Sequence, residues 1–207
     1  MSDLPITRHA LGVDRQNEIR DAVRAATGIP FDEAPSRVAR LSDAERFLTF
    51  LSDPAIHGPI YNLPRPLTVA SMRAFIADKL AAQARGEGLI FLRFDPSGEV
   101  LGYSEFDIWP QWGAGDLGGA LRADQQGKRA GVAGAKRTFS WMFDSLKLER
   151  IVATGALDNV RTARMMDGLG LERKGEITST RPDGSSRRSL VWEIERETWV
   201  RRQASER

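Results

Sequence analysis

The sequence predicts an α/β (α+β) domain, a mixed sheet with helices on its faces. Apolar residues recur at helical spacing in two separate stretches: Val69, Met72, Phe75, Ile76 and Leu80, then Val132, Ala135, Phe139, Met142, Phe143 and Leu146. Between them the period changes to that of strands. Residues 89–94 and 100–108 flank Asp95-Pro96-Ser97-Gly98-Glu99, the pattern of an antiparallel hairpin. Residues 150–154 form a short β-branched run that reads as a buried strand. At 207 residues the chain is long enough to bury a full core, and one domain is expected.

In chain order, residues 1–33 read as an N-terminal arm: a helix over 14–26, a break at Gly28-Ile29-Pro30, and no motif that assigns a role. A first strand is expected at residues 37–40. Ser42-Asp43-Ala44-Glu45 has the capping-box pattern and predicts a helix to about Leu51, stopped by Pro54. A loop with His57, Tyr61, Pro64 and Pro66 leads to Thr68, the expected cap of the next helix, which Gly86 ends. Residues 109–115 read as a loop. The run 116–122 is a poor strand by propensity because Gly118 and Gly119 weaken it, and they permit either a bulge, close approach by a ligand, or relief of crowding at a bend. After the strand at 150, Asp158 or Asn159 is placed to cap a short helix ended by Gly168 and Gly170. The domain is expected to span 34–200, with 201–207 a polar tail.

Composition narrows the function. Thirty basic against 28 acidic residues leave a net charge of +2, which argues against nucleic-acid or acidic-membrane binding by bulk electrostatics. The aromatic residues are not interleaved with arginine either. Without cysteine there is no disulfide framework, thiolate metal site or acyl-cysteine intermediate, and no metal is expected. Neither a signal pattern nor a membrane-length apolar run is present, so a cytoplasmic protein is expected.

The most specific chemistry lies at Gln126-Gly127-Lys128-Arg129-Ala130-Gly131, directly before the second amphipathic helix. A tight turn feeding a helix leaves main-chain N–H groups without intrahelical partners, and the helix dipole favours negative charge there. The turn lacks the nucleotide-triphosphate and dinucleotide glycine patterns.

Together with Asn159-x-x-Thr162-x-Arg164, Gly168-Leu169-Gly170-Leu171 and the closing segments 181–185, 189–194 and Trp199, this turn resembles the GNAT superfamily of N-acetyltransferases, in particular the RimJ/RimL type that acetylates ribosomal-protein N-termini. The resemblance implies a mostly antiparallel, twisted sheet whose splayed strands form an acetyl-CoA cleft. It implies that acetyl-CoA is co-substrate, held by Leu121, Ala123, Gln126, Gly127, Lys128, Arg129, Ala130, Gly131, Val132, Asn159, Thr162 and Arg164, and that the partner is an amine acceptor, a peptide N-terminus or a small molecule. A homodimer is compatible with it. Two positions depart from the family pattern: Arg129 replaces a glycine of the phosphate turn, and Met166 stands where many members carry a tyrosine acid.

Asp116 is the first candidate base and Glu105 the second, with Thr162 a candidate to assist the leaving thiolate. His57 reads as a substrate-side or surface residue; Trp109, Trp112 and Tyr61 are candidates to shape an acceptor pocket. A CoA-binding or protein-interaction domain without catalysis is the alternative reading.

Overall fold

The computed structural model describes residues 4–30, 36–125, 130–180 and 184–205. Gln126, Gly127, Lys128 and Arg129 of the expected phosphate turn, and Arg181, Pro182 and Asp183 of the closing hairpin, lie outside the described residues. The elements are α1 (Val13–Ala25), β1 (Ser36–Val38), α2 (Ala44–Phe50), α3 (Pro54–His57), α4 (Val69–Arg85), β2 (Gly88–Phe94), β3 (Val100–Trp109), β4 (Ala114–Leu121), α5 (Ala130–Asp144), β5 (Arg150–Ala156), α6 (Val160–Leu169), β6 (Glu172–Thr180), β7 (Ser186–Glu195) and α7 (Arg196–Ser205). Seven strands form one mixed sheet, ordered β1-β2-β3-β4-β5-β7-β6. Every neighbouring pair is antiparallel except β4 and β5.

Strand alternation sorts side chains to the two faces. On one face Leu89, Phe91, Phe106, Ile108, Ile151 and Trp192 join Phe139, Met142 and Phe143 of α5, Met166 and Leu169 of α6, and Trp199 of α7. Ile19 and Val23 of α1 belong to the same core, so the segment read as an arm contributes buried side chains to the main cluster. On the other face Ile90, Leu92 and Tyr103 meet Phe47 and Phe50 of α2 and Met72 and Ile76 of α4. Fully burying each such side chain stabilises by about 1.5–3 kcal/mol relative to exposure. The helices are therefore held on the sheet by their apolar stripes.

The feature that positions the site is a split in the sheet. Parallel pairing joins Ala114 to Arg150, Gly115 to Ile151 and Asp116 to Val152, and among the described residues it goes no further. Beyond that point β4 continues to Leu121 paired with β3 alone, while β5 continues to Ala156 paired with β7 alone.

Local chemistry agrees with the sequence at several ends. Thr68 Oγ1 accepts from the Ser71 amide at 3.1 Å, and Gly86 closes α4 at φ 75°. Of the two candidates at α6, Asn159 is the cap. Other ends differ. Ser42 sits inside a 3-10 turn (Leu41–Asp43), and the cap there is the Asp43 carboxylate, which accepts from the Arg40 amide at 2.7 Å and is clamped by Arg37. Pro54 opens α3 instead of only closing α2, because Asp53 caps the Ala55 amide at 2.8 Å and proline suits a first helical turn. Gly168 lies within α6, which ends at Gly170 in the left-handed region (φ 84°).

The stretch 109–115 is only partly loop: Trp109 ends β3, Pro110–Trp112 is a 3-10 turn, and β4 begins at Ala114. Residues 201–205 continue α7 rather than forming an irregular tail.

The paired glycines create no bulge, since β3 and β4 keep continuous register from Gly102–Leu121 to Trp109–Ala114. A Cβ at Gly118 would lie 2.9 Å from Glu105 Oε1, and one at Gly119 (φ 148°) only 2.3 Å from the Tyr103 carbonyl oxygen. Crowding against β3 is thus the reason for both.

Candidate active site

At the split, three acids share one face. Glu105 and Asp107 alternate with core residues on β3, and the register places Asp116 opposite Asp107 and Gly118 opposite Glu105. Lys79 of α4 serves this group. Its Nζ lies 2.7 Å from Asp107 Oδ1 and 3.3 Å from Glu105 Oε2. Burial lowers the affinity of this amine for its proton, but the two carboxylates outweigh it and the net shift is upward. Asn62, from the loop between α3 and α4, donates to Glu105 Oε1 at 2.5 Å.

Glu105 is 3% exposed, and burial raises its pKa even though Lys79 and Asn62 favour the carboxylate. Its role in this geometry is that of a held, partnered charge.

Asp116 is different. It stands at the last paired position before β4 and β5 part, half-buried, and its Oδ1 is buried with no hydrogen-bond partner. Burial first, then repulsion from Asp107 and Glu105, push its pKa up to about 7, against the opposing pull of the Leu117 amide and Lys79. A carboxyl that changes charge near neutrality, with an unengaged oxygen beside an opening, can take a proton from an incoming group.

Across the split, Asn159 Oδ1 accepts from the Thr162 amide at 3.0 Å and starts α6. The Thr162 methyl packs on β5: a Cβ on Gly155 would meet it at 3.0 Å. Residues 151, 153 and 155 share the face opposite to that of Val152, the partner of Asp116. Thr162 and Asp116 therefore stand on opposite faces of the sheet, with the split between them. Arg164 is exposed on α6.

The other cofactor-side candidates gather at the end of β4 and the start of α5. Leu121 ends β4, Ala123 begins a 3-10 turn, and Ala130 is the first residue of α5. Val132, expected in the apolar stripe, is 39% exposed, because the first turn of α5 stands clear of its neighbours. Cβ positions at Gly131 and Gly134 meet nothing within 4 Å. Burial begins only from Thr138 and Phe139 onward.

The loop carrying Asn62 is also tied across the split to β7. Arg187 Nη1 donates to the Pro59 carbonyl at 3.1 Å, and its guanidinium lies 4.1 Å from the centre of the Tyr61 ring. Tyr61 thus borders the acid-bearing face, whereas Trp109 and Trp112 pack against a small apolar cluster of Leu4, Ala114, Val152 and Val191. His57 Nδ1 lies 2.7 Å from the Leu51 carbonyl and closes its own loop.

Sequence reasoning missed Lys79, Asn62 and Arg187. Lys79 carried a signal: it falls on the helical stripe of Met72, Ile76 and Gln83, where a charge needs a buried partner. Asn62 and Arg187 carried none, since both act through loop or hairpin placement. Among the described residues, no group of three or more His, Asp or Glu side chains is arranged to hold a metal ion.

The acetyltransferase (GNAT) domain matches residues 37–172, which carry the split sheet and its acidic face. That match spans more than half of the chain, which belongs to the GNAT acetyltransferase family. Solved structures of similar fold include the ribosomal-protein-S5-alanine acetyltransferase of Vibrio fischeri, 19% identical over 84% of this chain and 99% of that one, with a TM-score of 0.69. Mycobacterium smegmatis RimJ, solved in complex with CoA-disulfide, is 18% identical over 84% and 88%, with a TM-score of 0.67. The microcin C7 self-immunity acetyltransferase MccE, in complex with acetyl-CoA and AMP, is 18% identical over 80% and 93%, also at 0.67. The GNAT resemblance read from the sequence is thus borne out by the domain match, and these structures share its fold. No curated protein is significantly similar in sequence.

Proposed function

We propose that the chain moves the acetyl group of acetyl-CoA onto a primary amine, a peptide or protein N-terminus or a small-molecule amine, with both substrates bound together. The observation that carries the proposal is Asp116: a carboxyl with a pKa near 7 and an unpartnered oxygen at the point where β4 and β5 part.

The fit for acetyl-CoA rests on the split and on the clear space around the first turn of α5. Main-chain amides of residues 126–132 would hold the pyrophosphate, with Lys128 or Arg129 reaching phosphate oxygens. Leu121 and Ala123 would border the entry, Asn159 would bond the pantetheine arm, and Arg164 is exposed on the same helix. When bound, the thioester supplies an activated acyl carbon. Bringing the two substrates into one site can supply roughly 7–11 kcal/mol of the barrier at ideal alignment, so a modest base suffices.

Asp116 takes the proton from the amine as its nitrogen bonds to the acyl carbon. The carbon–sulfur bond breaks with a hydrogen bond from the Thr162 hydroxyl to the leaving thiolate, which takes up a proton from solvent as Asp116 returns its own to solvent. An α-amino group titrates at about 8 and a lysine amine at about 10.4, so a base near 7 is better matched to the former. N-terminal amines are therefore the favoured acceptors.

Free thiol released from acetyl-CoA in the presence of dipeptide amides, N-blocked lysine peptides and small amines tests this. Release above solvent hydrolysis with α-amines is expected; no release with any amine would remove the proposal.

A further inference from the structure

The acid-bearing face continues past the split onto β5 and β7, where among the described residues no α-helix joins the apolar cluster on it. Residues 4–11 bring Leu4 to it instead. Leu4 is 8% exposed and clusters with Ala114, Val152 and Val191. Ala114 precedes Asp116 by two residues and shares its face, and Val152 is the strand partner of Asp116. Leu4 is thereby seated on the sheet beside the proposed base. The segment lies wholly outside the part of the chain that matches the family's domain.

Its main chain is held from below by charge. Glu193 Oε1 accepts from the amides of Ile6 (2.8 Å) and Thr7 (3.1 Å), and Arg150 Nη1 donates to the Thr7 carbonyl at 2.9 Å. Arg150 also bonds Glu195. Arg150 and Glu193 are each 2% exposed, their nearest N–O approach is 3.7 Å, and Glu193 Oε2 has no hydrogen-bond partner. Burying two charges this way costs free energy that a hydrophobic pair would not. What the arrangement secures is the backbone at Ile6 and Thr7. Further along, the Arg8 guanidinium lies 4.5 Å from the Trp112 ring centre, and the Leu11 amide donates to the Gln111 carbonyl at 2.9 Å. A segment fixed at each of these points is a rigid wall, and rigid walls discriminate by shape.

We propose that residues 4–8 form the acceptor-side wall next to Asp116, and that Leu4 sets the size of the group carried beside the acceptor nitrogen. This rests on the reading of Asp116 as the base. At Leu4 the wall is apolar, backed by the buried cluster of Ala114, Val152 and Val191, so the group it limits is a hydrocarbon substituent selected by volume. A methylene-scale change in such a pocket alters relative rates by about tenfold or more.

The test measures kcat/KM for dipeptide amides beginning with glycine, alanine, leucine or phenylalanine, using the wild type, Leu4→Ala, Leu4→Val and Leu4→Phe, each checked for a cooperative thermal transition. Leu4→Ala and Leu4→Val are expected to raise the preference for bulky over small N-terminal residues, about tenfold for alanine. Leu4→Phe is expected to move it the other way, and the KM for acetyl-CoA to stay within about twofold throughout. A wild type that acetylates amines, with folded variants that keep its ranking, overturns the wall. A wild type that acetylates none overturns the reading of Asp116 and the wall with it.

Discussion

Asp116 and Glu105 sit on adjacent strands and are both displaced toward the neutral form, yet only one is placed to exchange a proton. Each has a buried oxygen without a hydrogen bond, but that of Glu105 lies 3.3 Å from the Lys79 ammonium and its other oxygen accepts from Asn62 at 2.5 Å, whereas Asp116 Oδ1 lies at the split. Asp116→Asn is expected to lower kcat by about a hundredfold or more and to leave acetyl-CoA affinity unchanged. In the wild type kcat/KM should rise with pH through about 7 as the carboxylate forms, and the variant should lose that limb. Stability runs the opposite way. A carboxyl whose folded pKa lies above its unfolded value of 3.8 stabilises the fold below that value, and the contribution is lost as pH rises through about 7. The Asn variant should therefore be more stable than wild type at pH 8, by about 1–3 kcal/mol, and the difference should vanish near pH 4.

Lys79→Met gives a second pH signature. It leaves Glu105 buried without its cation, which raises that carboxyl further. The loss of stability should be about 3–5 kcal/mol at pH 8 and should shrink as the pH is lowered and Glu105 takes up a proton, as urea melts across that range would show.

At the scale of elements, the start of α5 separates binding from folding. Among the described residues outside its own helix, a Cβ at Gly131 would meet no atom within 4 Å. Gly131→Val should therefore leave the thermal midpoint nearly unchanged while abolishing CoA binding measured by calorimetry. Full affinity in the variant would show that nothing approaches the turn closely. The apolar stripe read from Val132 to Leu146 holds from Ala135 onward and fails at its first member, Val132. Periodicity reports which side of a helix is apolar but not where along its length the helix meets the sheet.

Across the whole molecule, the segment that reads as an appended arm is joined to the core. Ile19 and Val23 are completely buried with Phe91 and Phe106, and Arg15 pairs with Glu149 at 2.6 Å. Ile19→Ala should cost about 2–5 kcal/mol in a single cooperative urea transition, whereas a detached arm would lose almost nothing. The N-terminal residues escaped interpretation because they carry no motif; their contacts lie with distant segments, those of Ile6 and Thr7 with strands more than a hundred residues away.

By itself the sequence determined most of the elements and several of their ends, through the helical stripes, the Asp95–Glu99 turn, the Thr68 and Asn159 caps and the glycines at 86 and 170, because these depend on neighbours a few residues apart. It also carried the family resemblance and the candidate acid Asp116. Only the tertiary structure decided that β4 and β5 part after Asp116, that Lys79 and Asn62 hold Glu105 while Asp116 Oδ1 has no hydrogen bond, and that Leu4 clusters with Val152, the strand partner of Asp116. Those are relations between distant segments, set by strand register and burial, and no local pattern encodes them.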